Sequence, residues 1–137
     1  MREHDLWLSF AYEDLLSAEA LHEKSLYNSS AYHCQQSAEK SLKAFLVFKN
    51  SSIPRTHNVV HLLQLCGVHE KDFKKIMINT ARLEPFSTAT RYPDNFIEVA
   101  KDKSLMLIAD AKKILDFVVS KIEASTGHHQ MIIFPRI

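Results

Sequence analysis

Basic and aromatic side chains that could bind a phosphate group occur in two separate segments of this sequence. Lys40 and Lys43 share one face of a segment with helical periodicity, and Arg91 and Tyr92 are neighbours much later in the chain. Arginine and lysine donate charge-assisted hydrogen bonds to phosphate oxygens, and a tyrosine ring offers a stacking surface. The alternative is a solvated helix face on which Glu39 and Lys43 form an ordinary surface ion pair. Spacing alone favours that alternative.

A second group contains side chains that bind zinc, namely His57, His61, Cys66 and His69, which fall within thirteen residues. His57 and His61 are one helical turn apart, but the full spacing matches no common zinc framework. Cys66 also occupies a position where a helix needs an apolar residue. We therefore expect His57 to cap or anchor a loop, His61 and His69 to lie on the surface, and no metal or other cofactor to be bound.

This sequence lacks the short motifs of cysteine enzymes and of nucleotide-hydrolysing enzymes. Cys34 and Cys66 lack the flanking residues of cysteine enzymes, and the two glycines of the whole chain cannot form a Gly-rich phosphate loop. These observations argue against an enzyme that hydrolyses nucleotides by itself.

The elements that position these residues are predicted to be helices. Apolar residues recur every three to four positions, which is the period of a helix face rather than a strand. We predict an all-α, up-and-down bundle of four to five helices over residues 1–124, with a flexible tail over residues 125–137. The first predicted helix covers residues 3–25, and the second runs from the Tyr27–Ser30 segment to about Asn50. A short third helix is capped by Thr56 or Asn58 and closed by a left-handed Gly67. A fourth starts at Phe73 and is ended by Pro85, and the last runs from about Ile97 to Ala124.

The last predicted helix is apolar around much of its circumference. Its two apolar stripes are Leu105, Ile108, Leu115, Val119 and Ile122, and Leu107, Ile114, Phe117 and Val118. A helix this apolar must be covered on more than one side. We predict a homodimer.

Length and composition fix the broad class of protein. At 137 residues the chain fits one domain, and neither a secretion leader nor an apolar run long enough for a membrane span is found. We expect a cytoplasmic protein with no membrane association. The net charge of +1 gives no global field that would gather a long polyanion. Any anion site must therefore be local.

Four segments together resemble the signature of the HEPN family. They are Trp7–Ala18 (WLSFAYEDLLSA), Gln35–Ala44 (QQSAEKSLKA), Thr56–Val59 (THNV) and Arg91–Asp94 (RYPD). The resemblance covers roughly residues 5–122 and implies a bundle similar to the C-terminal domain of kanamycin nucleotidyltransferase. Members are commonly dimeric and often encoded beside a minimal nucleotidyltransferase.

The resemblance implies a non-catalytic module that binds a nucleotide of the ATP or GTP class, a nucleotidyltransferase partner, or both, in a toxin–antitoxin-like two-gene system. Lys40, Lys43, Arg91 and Tyr92 would contact phosphates or partner carboxylates, and Gln36 would add amide hydrogen bonds. Asp14 lies on an otherwise apolar stripe and needs a partner. Lys40 or Arg91 could supply it, in a structural ion pair or in the site itself.

Two other functions fit the same family. Some HEPN dimers are metal-independent ribonucleases that use an arginine and a histidine a few residues apart, and Arg55 and His61 match that spacing. These two residues flank the THN element, however, whereas the nuclease motif belongs later in the bundle. There the chain has Leu83–Phe86 and Arg91–Asp94, and no histidine follows at the spacing of that motif. The third reading is a purely structural dimerisation module, without catalytic residues or a ligand.

Overall fold

The computed structural model describes residues 2–88, 92–94 and 96–127. Five α-helices form one bundle: α1 (Glu3–Glu23), α2 (Tyr27–Phe48), α3 (Val59–His69), α4 (Met77–Leu83) and α5 (Lys101–Thr126). Two 3-10 segments, Lys71–Ile76 and Glu84–Ser87, flank α4. The described residues contain no strand, so the all-α prediction is confirmed. Among them, no helix combines the length and the apolarity that crossing a bilayer requires.

The ends of the first two helices depend on residues with left-handed backbone angles. Ser25 has φ 61° and Asn50 has φ 55°. After each, the next amide donates to a carbonyl five residues back, from Leu26 to Leu21 and from Ser51 to Leu46, at 2.9 Å in both cases. This pairing satisfies the last carbonyls of a helix. Helix α2 therefore ends just before the predicted Asn50.

The third helix starts as predicted but ends differently. The Asn58 side chain accepts a hydrogen bond from the His61 amide at 2.9 Å, which caps the first turn. Gly67 was expected to close the helix in a left-handed conformation, and that expectation is wrong. Its φ is not positive, and the helix continues through it to His69.

Two more predicted boundaries need correction. Helix α4 ends at Leu83, but Glu84 keeps helical angles and the chain continues as a 3-10 turn that contains Pro85. Helix α5 begins at Lys101 rather than Ile97 and runs to Thr126, where Gly127 with φ 72° closes it. The first two residues of the predicted tail are therefore helical, and residues 128–137 lie outside the described part.

Helices α1 and α2 form a closely packed antiparallel hairpin. Serine hydroxyls near both ends of the contact donate to backbone carbonyls of α1, Ser30 to Ala18 and Ser37 to Ala11, at 2.8 Å each. Alanines are fully buried on both sides of the seam, which allows the backbones to approach. This seam fixes which α1 side chains face the polar side of α2.

Helix α5 runs parallel to α2 and antiparallel to α4. Its first turns meet the α1–α2 turn, where Ser104 Oγ lies 2.9 Å from His22 Nδ1. Its far half meets the 3-10 segment before α4, where the Phe117 and Phe73 rings pack edge to face at 5.0 Å. The largest fully buried side chains of the shared core include Leu8, Leu42, Phe45, Leu62, Leu107 and Ile114.

Much of the wide apolar surface predicted for the last helix packs against the core of the same chain. Ile108, Phe117 and Val119 pack against the core although they are partly exposed. Leu105 and Met106 remain exposed, at 60% and 38% of their surface. The face left for a second subunit is smaller than the sequence suggested.

Candidate functional site

The polar face of α2 carries a cluster of ionisable side chains, several of them buried or partly buried. Helical spacing sends an apolar stripe into the core, and Ala31, Cys34, Ala38, Leu42 and Phe45 are all fully buried there. The same spacing places His33, Gln36, Glu39, Lys40 and Lys43 on another side of the helix. Two carboxylates organise these groups, one from α1 and one from α2.

The first group, here called the Asp14 cluster, joins α1 to α2. Lys40 Nζ donates to Asp14 Oδ2 at 2.6 Å, and His33 Nδ1 lies 2.9 Å from Asp14 Oδ1. Burial alone would raise the pKa of this carboxyl, but hydrogen bonds from His33 and Lys40 outweigh burial and hold the pKa below its usual value. Asp14 is thus an ionised carboxylate with a hydrogen-bond partner on each oxygen.

The second group, here called the Glu39 cluster, joins α2 to the loop before α3. Glu39 Oε2 accepts a hydrogen bond from Lys43 Nζ at 2.9 Å, and Glu39 Oε1 lies 3.0 Å from His57 Nδ1. Glu39 and Lys43 are both buried, so the surface ion pair considered for them is wrong. The loop and α1 cover this part of the face, and Lys43 Nζ lies 5.8 Å from the centre of the Trp7 ring.

Further hydrogen bonds hold the loop before α3 in place. Gln35 Nε2 donates to the His57 carbonyl at 2.9 Å, and Gln36 Nε2 donates to Gln35 Oε1 at 2.8 Å. Glu84 Oε1 accepts from the Val59 amide at 3.1 Å. Burial raises the pKa of Glu84 and the nearby Glu39 raises it further, while the Val59 amide lowers it. His57 therefore anchors the loop, as expected.

An exposed aromatic residue, Phe10, lies one helical turn before Asp14 on α1. Phe10 lies between Trp7 and Asp14 on the same face of α1, because residues three and four apart are neighbours on a helix. Trp7 is near Lys43 and Asp14 binds Lys40, so this face of α1 borders the polar side of α2. Phe10 keeps 44% of its surface exposed. Neither Phe10 nor His33 was among the predicted site residues, although the spacing 33, 36, 40 on α2 is a signal for His33.

The predicted ligand-binding residues are only partly brought together. Gln36, Lys40 and Lys43 share the polar face, but each lysine already has a carboxylate partner. Tyr92 is exposed in a segment between α4 and α5. Arg91 lies outside the described residues.

The four zinc-type residues do not converge. Cys66 Sγ is buried and donates to the Leu42 carbonyl at 3.5 Å, and burial raises the pKa of its thiol far above the usual value. His57 is held by Glu39, and the His69 ring lies 6.3 Å from the Phe45 ring. Within residues 2–88, 92–94 and 96–127, no three His, Cys, Asp or Glu side chains are grouped to hold a metal ion.

Arg55 and His61, the pair with nuclease-like spacing, are both exposed on either side of His57. Arg55 lies in the loop, and His61 lies in the first turn of α3. Neither contacts the Asp14 cluster or the Glu39 cluster.

A third buried carboxylate that sequence reasoning missed joins α4 to α5. Asp110 accepts two hydrogen bonds from the Arg82 guanidinium and one from Asn79 Nδ2, each at 2.8 Å. The hydrogen bonds to Asp110 raise the pKa of Arg82. Both carboxylate oxygens of Asp110 are thus hydrogen-bonded, and the residue is 2% exposed, which favours a structural role.

The chemistry that the polar face offers is anion recognition beside an aromatic ring. Lys40 and His33 keep 27% and 31% of their side-chain surface exposed, whereas Lys43 keeps only 10%. A phosphate group could therefore approach Lys40 and His33 directly, but Lys43 only by displacing the loop. Phe10 offers a face on which a base could stack.

Comparisons with known proteins agree with this architecture. The HEPN domain model matches residues 4–122 of the chain. A Methanocaldococcus jannaschii protein that carries the name "Putative toxin MJ1304" is 26% identical over 92% of each chain. The crystal structure of ST0689, an archaeal HEPN homologue, has a TM-score of 0.72 and 27% identity and covers 89% of this chain and 99% of its own. TT1696 from Thermus thermophilus has a TM-score of 0.78 at 23% identity, over 88% and 99% of the two chains, and shows the fold alone.

Proposed function

Since the chain belongs to the HEPN family, we propose that it is a non-catalytic module of a toxin–antitoxin-like pair that binds a nucleotide of the ATP or GTP class on the polar face of α2. A separately encoded minimal nucleotidyltransferase is the proposed partner protein. The name of the Methanocaldococcus jannaschii relative supports a toxin–antitoxin-like role. The architecture supports the nucleotide part.

The observation that carries this proposal is that the exposed Phe10 lies on the same face of α1 as Asp14. Lys40 and His33 are partly exposed nitrogen donors, and Phe10 is one helical turn from the carboxylate that holds them. A nucleotide needs donors for its phosphates and an apolar ring for its base. The polar face of α2 offers such donors, and the neighbouring helix α1 offers an exposed ring.

The test is a thermal-shift and calorimetric titration of the purified chain with ATP, GTP, ADP and GDP. A ligand that binds only the folded state raises the apparent stability with the logarithm of its concentration. We expect a saturable shift that Lys40→Ala abolishes and that Arg91→Ala weakens. The matched control is Lys112→Ala, which removes an exposed lysine from α5. No shift with any of the four nucleotides would contradict the proposal.

The homodimer stays a proposal, supported by exposed apolar side chains. Leu105 and Met106 on α5 are solvent-exposed in the single chain. Light scattering coupled to size exclusion should give about twice the 15.7 kDa mass of the chain, and Leu105→Glu should return the mass to that of one chain. A monomeric wild-type protein would refute this part and leave the nucleotide site open.

Ribonuclease activity at Arg55 and His61 is the second candidate function, and the toxin name of the relative favours it. Both side chains are exposed and reachable by a large substrate. This candidate predicts that overexpression arrests growth and that His61→Ala relieves the arrest. Normal growth of cells that overexpress the wild-type chain would count against it.

A further inference from the structure

His33 has a free ring nitrogen in a fixed orientation. Asp14 is ionised, and an ionised carboxylate can only accept hydrogen bonds. The 2.9 Å contact therefore requires His33 Nδ1 to carry the proton. In neutral His33 the other nitrogen, Nε2, is then an acceptor, and in protonated His33 it becomes a donor. Nε2 has no hydrogen-bond partner among the residues that the structure describes.

Protonation of His33 would change the charge of the whole Asp14 cluster. With neutral His33, the carboxylate of Asp14 and the ammonium of Lys40 cancel each other. With protonated His33, the cluster carries one net positive charge, and both cations are partly exposed. The cluster therefore has a neutral state and a state that attracts anions, separated by one proton.

Few other titratable groups face His33. Asp14 comes from α1, Lys40 lies two turns along α2, and the Tyr32 ring packs edge to face at 5.4 Å. Glu19 of α1 and Asp110 of α5 act on the neighbouring Cys34 and add negative charge on that side of α2. Asp110 is already neutralised by Arg82. Asp14 is thus the titratable group that His33 contacts by hydrogen bond within the part of the chain that the structure describes.

We propose that the Asp14 cluster is a proton-linked phosphate subsite, in which protonated His33 donates its Nε2–H to a phosphate oxygen while Lys40 contacts the same group. This inference rests on the proposed nucleotide binding and deepens it by naming the phosphate ligand and its regulation. The proton that His33 takes up comes from solvent. Binding should therefore consume up to one proton per ligand at a pH where free His33 is neutral.

The experiment is calorimetric titration of the full chain with ATP at pH 6 and pH 8, each in two buffers of different ionisation enthalpy. The variants are His33→Gln and, as a matched control, His69→Gln on the exposed end of α3. Because phosphate itself titrates near pH 6, the decisive quantity is the affinity ratio of wild type to His33→Gln at each pH. Adenosine serves as the ligand without phosphate.

We expect the ratio to be about tenfold larger at pH 6 than at pH 8, the size of one charge-assisted hydrogen bond. His69→Gln should behave as wild type, and adenosine should show no dependence on His33. His33→Arg, which keeps a permanent cation, should bind ATP well at both pH values and take up no proton. This second variant decides the question if His33→Gln does not fold.

The outcomes separate this inference from the proposed function. If wild type binds ATP but the ratio is the same at both pH values, the proton-linked subsite is wrong and nucleotide binding stands. If wild type binds ATP at neither pH, both proposals fail.

Discussion

The two carboxylates beside α2 have the same kinds of partner but different surroundings. Asp14 and Glu39 are each held by one lysine and one histidine at hydrogen-bond distance. In the Glu39 cluster the lysine is buried and His57 is on the surface, while in the Asp14 cluster both Lys40 and His33 are partly exposed. Because its ion pair is buried, we infer that the Glu39 cluster stabilises the loop before α3. Exposure leaves the Asp14 cluster available to a ligand.

The largest expected effect is the loss of Lys43, because Glu39 Oε2 would stay buried without its lysine, while His57 and Gln36 contact only Oε1. Removing one member of a buried ion pair costs about 3–5 kcal/mol. Lys43→Ala should lower the free energy of unfolding by that amount in a urea titration. The double variant Glu39→Gln, Lys43→Met should regain most of the loss. A loss below about 1 kcal/mol for Lys43→Ala would show that solvent reaches Glu39, and the contrast between the clusters would disappear.

Asp110→Asn extends the comparison to a carboxylate for which no ligand is proposed. The substitution removes the charge that receives both Arg82 nitrogens, so it should cost about 1.5–3 kcal/mol. Urea titration measures the loss, and ATP calorimetry checks that affinity is unchanged. A clear change in affinity would mean that the α4–α5 contact takes part in ligand binding.

Lys40→Ala should affect stability less than Lys43→Ala does, because the Lys40 ammonium is partly solvated. We expect a loss of about 1 kcal/mol, at the upper end for such a pair. His33 continues to hold Asp14 in this variant. A urea titration run beside that of Lys43→Ala gives the comparison directly, and an equal loss for the two lysines would contradict it.

The smallest effect concerns Glu84, whose ionised form is disfavoured in the folded state. Burial and the nearby Glu39 raise the pKa of Glu84 in the folded state. The protonated carboxyl therefore contributes stability that is fully present below the pKa of the unfolded state. That stability is lost as the pH rises through the pKa of the folded state. Glu84→Gln should therefore stabilise the protein at neutral pH by about 0.5 kcal/mol after solvent screening. The gain should vanish in acid, which thermal unfolding at pH 4 and pH 7 can measure. Destabilisation at pH 7 would show that the Val59 hydrogen bond outweighs the charge.

Periodicity identified the helices and the apolar face of α2, since Ala38, Leu42 and Phe45 are all buried where the period of 3.6 places them. It also pointed to Lys40 as a partner of Asp14. Periodicity could not show that the Glu39–Lys43 pair is buried, because the cover comes from α1 and from a loop distant in sequence. The end of α3 was misplaced because a glycine does not have to end a helix: Gly67 lies inside α3, where a glycine costs about 1 kcal/mol relative to alanine.

His33 illustrates the limit for the site. Its position relative to Gln36 and Lys40 was readable from the sequence, but its importance depends on Asp14, nineteen residues away on another helix. Only the α1–α2 packing brings the imidazole to that carboxylate. Arg55 and His61 show the opposite case, because a matching spacing leaves them exposed on either side of His57.

The most direct test of the central claim is to map ATP binding by nuclear magnetic resonance on ¹⁵N-labelled protein. The account predicts saturable shifts concentrated at Phe10 of α1 and at His33, Gln36 and Lys40 of α2, with little change at Asp110 or along the outer face of α5. Shifts that are absent at saturating ATP, or that map to α5 or to the loop before α3, would contradict it.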